Sequence, residues 1–197
     1  IKYLNSNANN SIKSALDVGA LYGHLVEKLN RQNIDAYGIE VDKSNIDKGI
    51  SKKIFHGFFD ENFTSEKKYD LICLTQMIYS VEKPIELLKN SINLLNDDGL
   101  IFISTQNPDS SIIKNHELPI FENGMNILFS KKNFEDITNT LNLKILDFTN
   151  FRPNIYLDRL KNGSIKNEFF NFLKYMNKPS FEKSNDGHHS FLLLQKL

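Results

Sequence analysis

Cysteine is nearly absent, with Cys73 standing alone among 197 residues. A single thiol excludes an internal disulfide and removes the spaced cysteines of a metal cluster, so no metal is expected and a reducing, cytoplasmic setting is the default. Net charge is absent too. Lys plus Arg and Asp plus Glu both total 24, giving +0. The chain therefore lacks the general field that draws a nucleic-acid backbone or an anionic membrane, and no nucleic-acid partner is expected. No apolar run approaches the roughly 18–20 residues of a membrane span. No secretory leader is visible, and the chain opens on Ile1 without an initiator Met; we expect a trimmed start or a missing N-terminal segment. Neither a repeat nor a linker-like shift interrupts residues 1–197, so one domain is expected. These totals leave the oligomeric state open.

What is present begins with Ala15-Leu16-Asp17-Val18-Gly19-Ala20-Leu21-Tyr22-Gly23. Ala15, Leu16 and Val18 read as a buried strand with Asp17 at its mouth. Gly19 permits the turn, and Gly23 allows close approach of the helix that follows. A strand–glycine–helix unit exposes backbone N–H groups that favour a negative ligand group, at the end of the sheet where ligands settle in open α/β folds.

Further along, Leu21, Leu25, Val26 and Leu29 have helical spacing and predict a core-facing stripe. Strands are expected over Ile34–Ile39, Lys53–His56, Tyr69–Thr75, Leu100–Ser104, Leu143–Phe148 and His189–Gln195. A short helix is expected over Ser44–Gly49, and a longer one from Pro84 with a stripe of Ile85, Leu88, Ile92 and Leu95. Gly99 reads as the left-handed terminator of that helix. Ser130 reads as the cap of a helix that buries Phe134, Ile137 and Leu141, with Asn142 ending it. The segment before Ser14 reads as a helix end and a loop; 150–186 is an excursion with a helix at Asn167–Met176. Alternating strands and helices imply a doubly wound, Rossmann-like and mostly parallel seven-stranded sheet with an antiparallel last strand, covered by helices on both faces.

The ordered set resembles the class I S-adenosylmethionine-dependent methyltransferases, and within them the small-molecule branch that includes sugar, quinone-precursor and natural-product enzymes. The carrying residues are Leu16–Gly23, then Tyr37-Gly38-Ile39-Glu40-Val41-Asp42, Tyr69–Leu74 with Pro84, Asp98–Ser104, and Phe129-Ser130 before a helix. A nicotinamide-binding fold is the competing reading. The turn lacks the middle glycine that lets backbone approach a pyrophosphate, and Leu21 in its place argues against a dinucleotide. The methyltransferase pattern also usually has glycine at Leu21.

The resemblance implies a cofactor-binding core over 14–105 and substrate-side insertions at 106–130 and 150–187. It places the methionine portion on Gly19, Ala20, Tyr22 and Gly23 and its ammonium on Asp17. The ribose hydroxyls fall to Glu40, beside Val41, as an acidic residue at the second strand end does in dinucleotide enzymes. Adenine falls to Phe58, Phe59 and Asp60, and the floor beneath the sulfonium to Leu74, Thr75 and Gln76. Many relatives carry a histidine at the position of Ser80. With that base missing, the remaining catalytic candidates are His116, Tyr79 and His188. The implied activity is methyl transfer from S-adenosylmethionine to a small-molecule acceptor. The alternative is a catalytically silent binding module that keeps the fold.

Overall fold

A computed structural model of the chain describes residues 3–4, 11–115, 124–153 and 181–197. In chain order its elements are β1 (Ser14–Val18), α1 (His24–Asn30), β2 (Asp35–Glu40), α2 (Lys43–Asp47), β3 (Ile54–His56) and β4 (Tyr69–Thr75). Then come α3 (Pro84–Leu94), β5 (Leu95–Gln106), α4 (Ser111–Lys114), α5 (Lys131–Leu141), β6 (Leu143–Pro153), β7 (Phe181–Lys183) and β8 (His189–Lys196). The expected helix at 167–176 lies outside the described residues.

The strands form one sheet in the order β3-β2-β1-β4-β5-β8-β6-β7. From β3 to β5 every pairing is parallel, whereas β8 runs antiparallel between β5 and β6. The sheet has eight strands rather than the seven expected, because short β7 pairs with the end of β6. Three residues of sequence Phe181-Glu182-Lys183 carry too little pattern to announce a strand.

Burial follows from composition. β4 is an apolar run whose Leu71, Ile72, Cys73 and Leu74 are fully buried, as a strand covered on both faces must be. One face packs Leu88 of α3 and Phe134 of α5 against Leu16, Ile72 and Ile103. The other packs Val26 and Leu29 of α1, with Leu4, against Ala15, Leu71 and Leu193. Tyr3 lies against Phe102 and Phe191, on β5 and β8.

Several expectations are corrected locally. Leu21 does not belong to the α1 stripe: the helix starts at His24, and Leu21 is exposed with φ 48. The buried face of α3 is Leu87, Leu88, Ser91 and Leu94, while Ile85 faces solvent and Leu95 already belongs to β5. The left-handed residue after α3 is Asp98, with φ 59, not Gly99. Gly99 is instead needed for space, since a Cβ there would sit 2.8 Å from the Asn96 carbonyl oxygen. The α5 entry behaves as expected. Ser130 accepts from the Asn133 amide, Asn133 bonds back to the Ser130 amide, and Asn142 closes the helix with φ 53. Among the described residues, no helix is long and apolar enough to cross a membrane.

Candidate active site at the carboxyl edge of the sheet

Parallel strands deliver their carboxyl ends to one edge, and the polar residues singled out in the sequence gather there. Asp17 and Glu40 close β1 and β2, and Thr75 and Gln76 close β4. Gly19 adopts φ 72 and Gly23 φ 77, conformations that favour glycine. At Gly23 the space is also full: a Cβ would lie 2.7 Å from side-chain atoms of both Ser51 and Ile54. A Cβ at Gly19 would meet Met77 at 3.8 Å, which sets the loop after β4 beside the glycine turn.

The turn is held from within. The amides of Gly19 and Ala20 both donate to the Ile39 carbonyl, at 2.9 and 3.0 Å, and Gly23 donates to Ala20 at 2.8 Å. Glu40 completes it, accepting from the Leu21 amide at 2.8 Å and the Asp42 amide at 2.9 Å. Much of the turn's backbone is therefore committed to the protein. Leu21 adopts the left-handed conformation that glycine would take and turns its side chain to solvent, so the turn keeps its shape without the middle glycine.

Asp17 is the unusual group. It is 4% exposed, and its Oδ1 is buried without a hydrogen-bond partner. Burial first, and the negative charge of Glu40 second, push its carboxyl up to about 7. An unpartnered buried carboxylate oxygen is costly, and a cationic ligand group placed there would relieve it.

The two phenylalanines divide their labour. Phe59 packs into the core beside Phe63, whereas Phe58 is 72% exposed. Val41 and Tyr22 are exposed on the same rim. Asp60 initiates a turn, its carboxylate accepting from the Asn62 amide at 2.9 Å. Leu74 is a correction, for it is fully buried in the core and has no surface to offer. Thr75 is exposed.

Sequence reasoning named Gln76 and Tyr79 but missed that they join Ser104 and Gln106 in a neutral polar cluster at the ends of β4 and β5. Gln76, with φ 54, donates through its amide to the Ser104 carbonyl at 2.8 Å and through its side chain to the Ser104 hydroxyl at 3.2 Å. Its Oε1 receives the Tyr79 hydroxyl and the Gln106 side-chain amide, each at 3.4 Å. A non-glycine residue in left-handed backbone at a strand end is a mark of functional sites, but it has no sequence signal.

Of the catalytic candidates, Tyr79 joins this cluster, and burial raises its phenol above the ordinary value. His188 is 2% exposed beyond the end of β5, and burial followed by the Arg152 charge lowers its pKa. Its carbonyl accepts the Asn107 amide at 2.8 Å. Asn107 also donates to the Gly187 carbonyl at 2.7 Å, so it shapes the loop. His116 lies outside the described residues. Among the described residues, no group of three or more His, Cys, Asp or Glu is arranged to hold a metal ion.

Residues 2–147 match the family described as a methyltransferase domain. No curated protein matches the sequence. Among solved structures, the chain resembles the plantazolicin methyltransferase BpumL, crystallised with a triazolic desmethylPZN analog and SAH. The identity is 20% and the TM-score 0.65, over 99% of this chain and 81% of that one. A SAM-dependent methyltransferase from Archaeoglobus fulgidus aligns with TM-score 0.65 and 16% identity, over 99% of this chain and 90% of its own. The [4+2]-cyclase SpnF aligns with TM-score 0.62 and 12% identity, over 98% and 78%. At such identities the likeness is one of fold.

Proposed function

The chain belongs to the class I S-adenosylmethionine-dependent methyltransferase family, and from that premise we propose that it transfers a methyl group from S-adenosylmethionine to a small-molecule acceptor, such as a sugar, cell-envelope or natural-product precursor. The observation that carries this reading is Asp17, buried with an unpartnered oxygen beside Glu40 at the glycine turn. A buried acid with an unpartnered oxygen near the end of β1 suits the ammonium of an amino-acid moiety. It does not suit a pyrophosphate.

When bound, S-adenosylmethionine supplies a sulfonium whose methyl leaves by in-line displacement. The chain's own residues bind and orient. Asp17 holds the ammonium. Glu40 uses each oxygen once to fix Leu21 and Asp42. A carboxylate oxygen has a second lone pair, which leaves Glu40 capacity for the ribose hydroxyls. The exposed Phe58 ring offers a stacking face for adenine, anchored by Phe59 in the core. Gln76, Ser104, Gln106 and Tyr79 present neutral donors and acceptors that orient the acceptor, and alignment is a large part of such catalysis. With its phenol pKa raised, Tyr79 stays protonated and serves as a donor rather than a base.

Calorimetric titration with S-adenosylhomocysteine tests the pocket. Saturable binding is expected, and Glu40→Ala should weaken it about 10- to 100-fold, the worth of charge-assisted hydrogen bonds. Because Glu40 also accepts from the Leu21 and Asp42 amides, an unchanged melting temperature of Glu40→Ala is the control for collapse of the turn. Absence of binding at millimolar concentration would overturn the reading. Since the same fold occurs in a [4+2]-cyclase, turnover needs its own assay: label from methyl-labelled S-adenosylmethionine must appear in an acceptor. Binding without turnover across acceptor classes would mark the silent module.

A further inference from the structure

Beyond the cofactor edge, an open groove of about 470 Å³ lies at the end of β5 and along β6. That volume falls within the range of about 300–1,000 Å³ usual for small-molecule sites. Its chemistry differs from that of the rest of the chain. Two cations line it, Lys131 from the first turn of α5 and Lys183 from β7, together with the amides of Asn150 and Asn185. Lys183 makes no ion pair with any described residue. Lys131 is held only loosely by Glu135, at 3.8 Å, and lies over the Phe148 ring, 6.0 Å from its centre. Among the described residues, the one acid on the lining, Asp109, is engaged by Lys114 at 3.4 Å. Asn150 accepts the Ser190 hydroxyl on its Oδ1 at 2.8 Å, which leaves its NH₂ as a donor to the groove. In a chain of zero net charge, two weakly engaged lysines and amide donors around one concavity form a local positive site.

We propose that this groove seats an anionic oxygen group of the acceptor, a carboxylate or a phosphate, and thereby orients the remainder of the molecule toward the Gln76 cluster. The inference rests on the methyltransferase reading above. The connection is structural: Gln106 precedes Asn107 on the groove rim and bonds Gln76 across to β4, so groove and cluster share the end of β5.

The test is amide-resolved NMR on the labelled full chain, with three separate titrations: inorganic phosphate, acetate and S-adenosylhomocysteine. Phosphate, acetate or both should shift the amides of Lys131, Asn150 and Lys183 saturably in the millimolar range. A Lys131→Gln/Lys183→Gln variant should bind the active anion at least tenfold more weakly with an unchanged melting temperature, and Lys131→Arg/Lys183→Arg should retain it. A phosphate response alone identifies a phosphate-bearing acceptor, and an acetate response alone a carboxylate. Shifts that scatter outside the groove, or that persist in the glutamine variant, overturn the inference while a normal S-adenosylhomocysteine response at Leu21 and Glu40 leaves the functional reading standing. If S-adenosylhomocysteine gives no response while the groove binds anions, the methyltransferase reading falls, and the acceptor role of the groove falls with it.

Discussion

Asp17 makes the apo protein sensitive to pH in a specified direction. Its ordinary value is 3.8, and the fold raises it to about 7. Between those limits the folded chain keeps a proton that the unfolded chain releases, so the contribution of Asp17 to stability is present at acid pH and is lost as pH rises toward 7. The slope approaches ~1.4 kcal/mol per pH unit where one whole proton separates the states. Thermal melts of Asp17→Asn against the parent should show that slope removed between about pH 4 and pH 7. An ammonium ligand beside Asp17 would expel the proton, so cofactor affinity should rise with pH across the same window, with proton release visible as a buffer dependence of the calorimetric heat. A pH-independent affinity would mean that the ammonium docks elsewhere. At this scale the sequence was informative about identity and silent about conformation. The positions of Asp17 and Glu40 were legible because both sit at the ends of strands, where the structure places them, buried, at the carboxyl edge of the sheet. The backbone conformation of Gln76 and Leu21 was not, because a left-handed backbone at a non-glycine residue is imposed by tertiary packing, not by propensity.

The helices differ in how well local chemistry specifies them. In α5 every signal agrees: the Ser130–Asn133 capping box, the buried Phe134 and the left-handed Asn142. Its boundaries were readable for that reason. Ser130→Ala should cost about 1 kcal/mol, measured by denaturant unfolding, since it leaves a first-turn amide without its acceptor. No loss would show that the cap is replaced by water at no cost. In α3 the start at Pro84 was readable and the buried face only in part. Leu88 is buried as expected and Ile92 packs partly against the core, but Leu87 and Leu94 pack where Ile85 was expected, since the run offers apolar residues on more than one side and only the sheet decides between them. Likewise β5 begins at Leu95, through residues Asn96 to Gly99 that read as a turn. Leu95 pairs with Tyr69 and Leu100 with Leu71, so the residues between them form an irregularity in the register, framed by long-range partners that no window of local sequence contains.

For the whole molecule, a mostly parallel sheet with an antiparallel last strand was accessible from the alternation of strands and helices, whereas the strand order comes from the structure. The insertion of β8 between β5 and β6 gives the molecule its least local wiring. Leu100 pairs with Gln195, and Leu143 with Lys196. β5 and β6 are not hydrogen-bonded to each other; β8 lies between them and pairs with both. Contacts across such sequence distances slow folding, because loop closure must precede any reward from pairing.

Read as a timetable, that wiring has a further meaning. A ribosome makes β1 to β5 and then β6 before the strand that must lie between the last two exists. Until β8 emerges, β5 and β6 each wait with an open hydrogen-bonding edge and apolar faces half covered, a state in which strands invite the wrong neighbour. Pulse-labelled hydrogen exchange during refolding should therefore find β1, β2 and β4 protected before the β5 and β6 amides that face β8, with simultaneous protection of all strands as the contrary result. Such a chain is most exposed to misassembly, and to chaperones, just before its synthesis reaches β8.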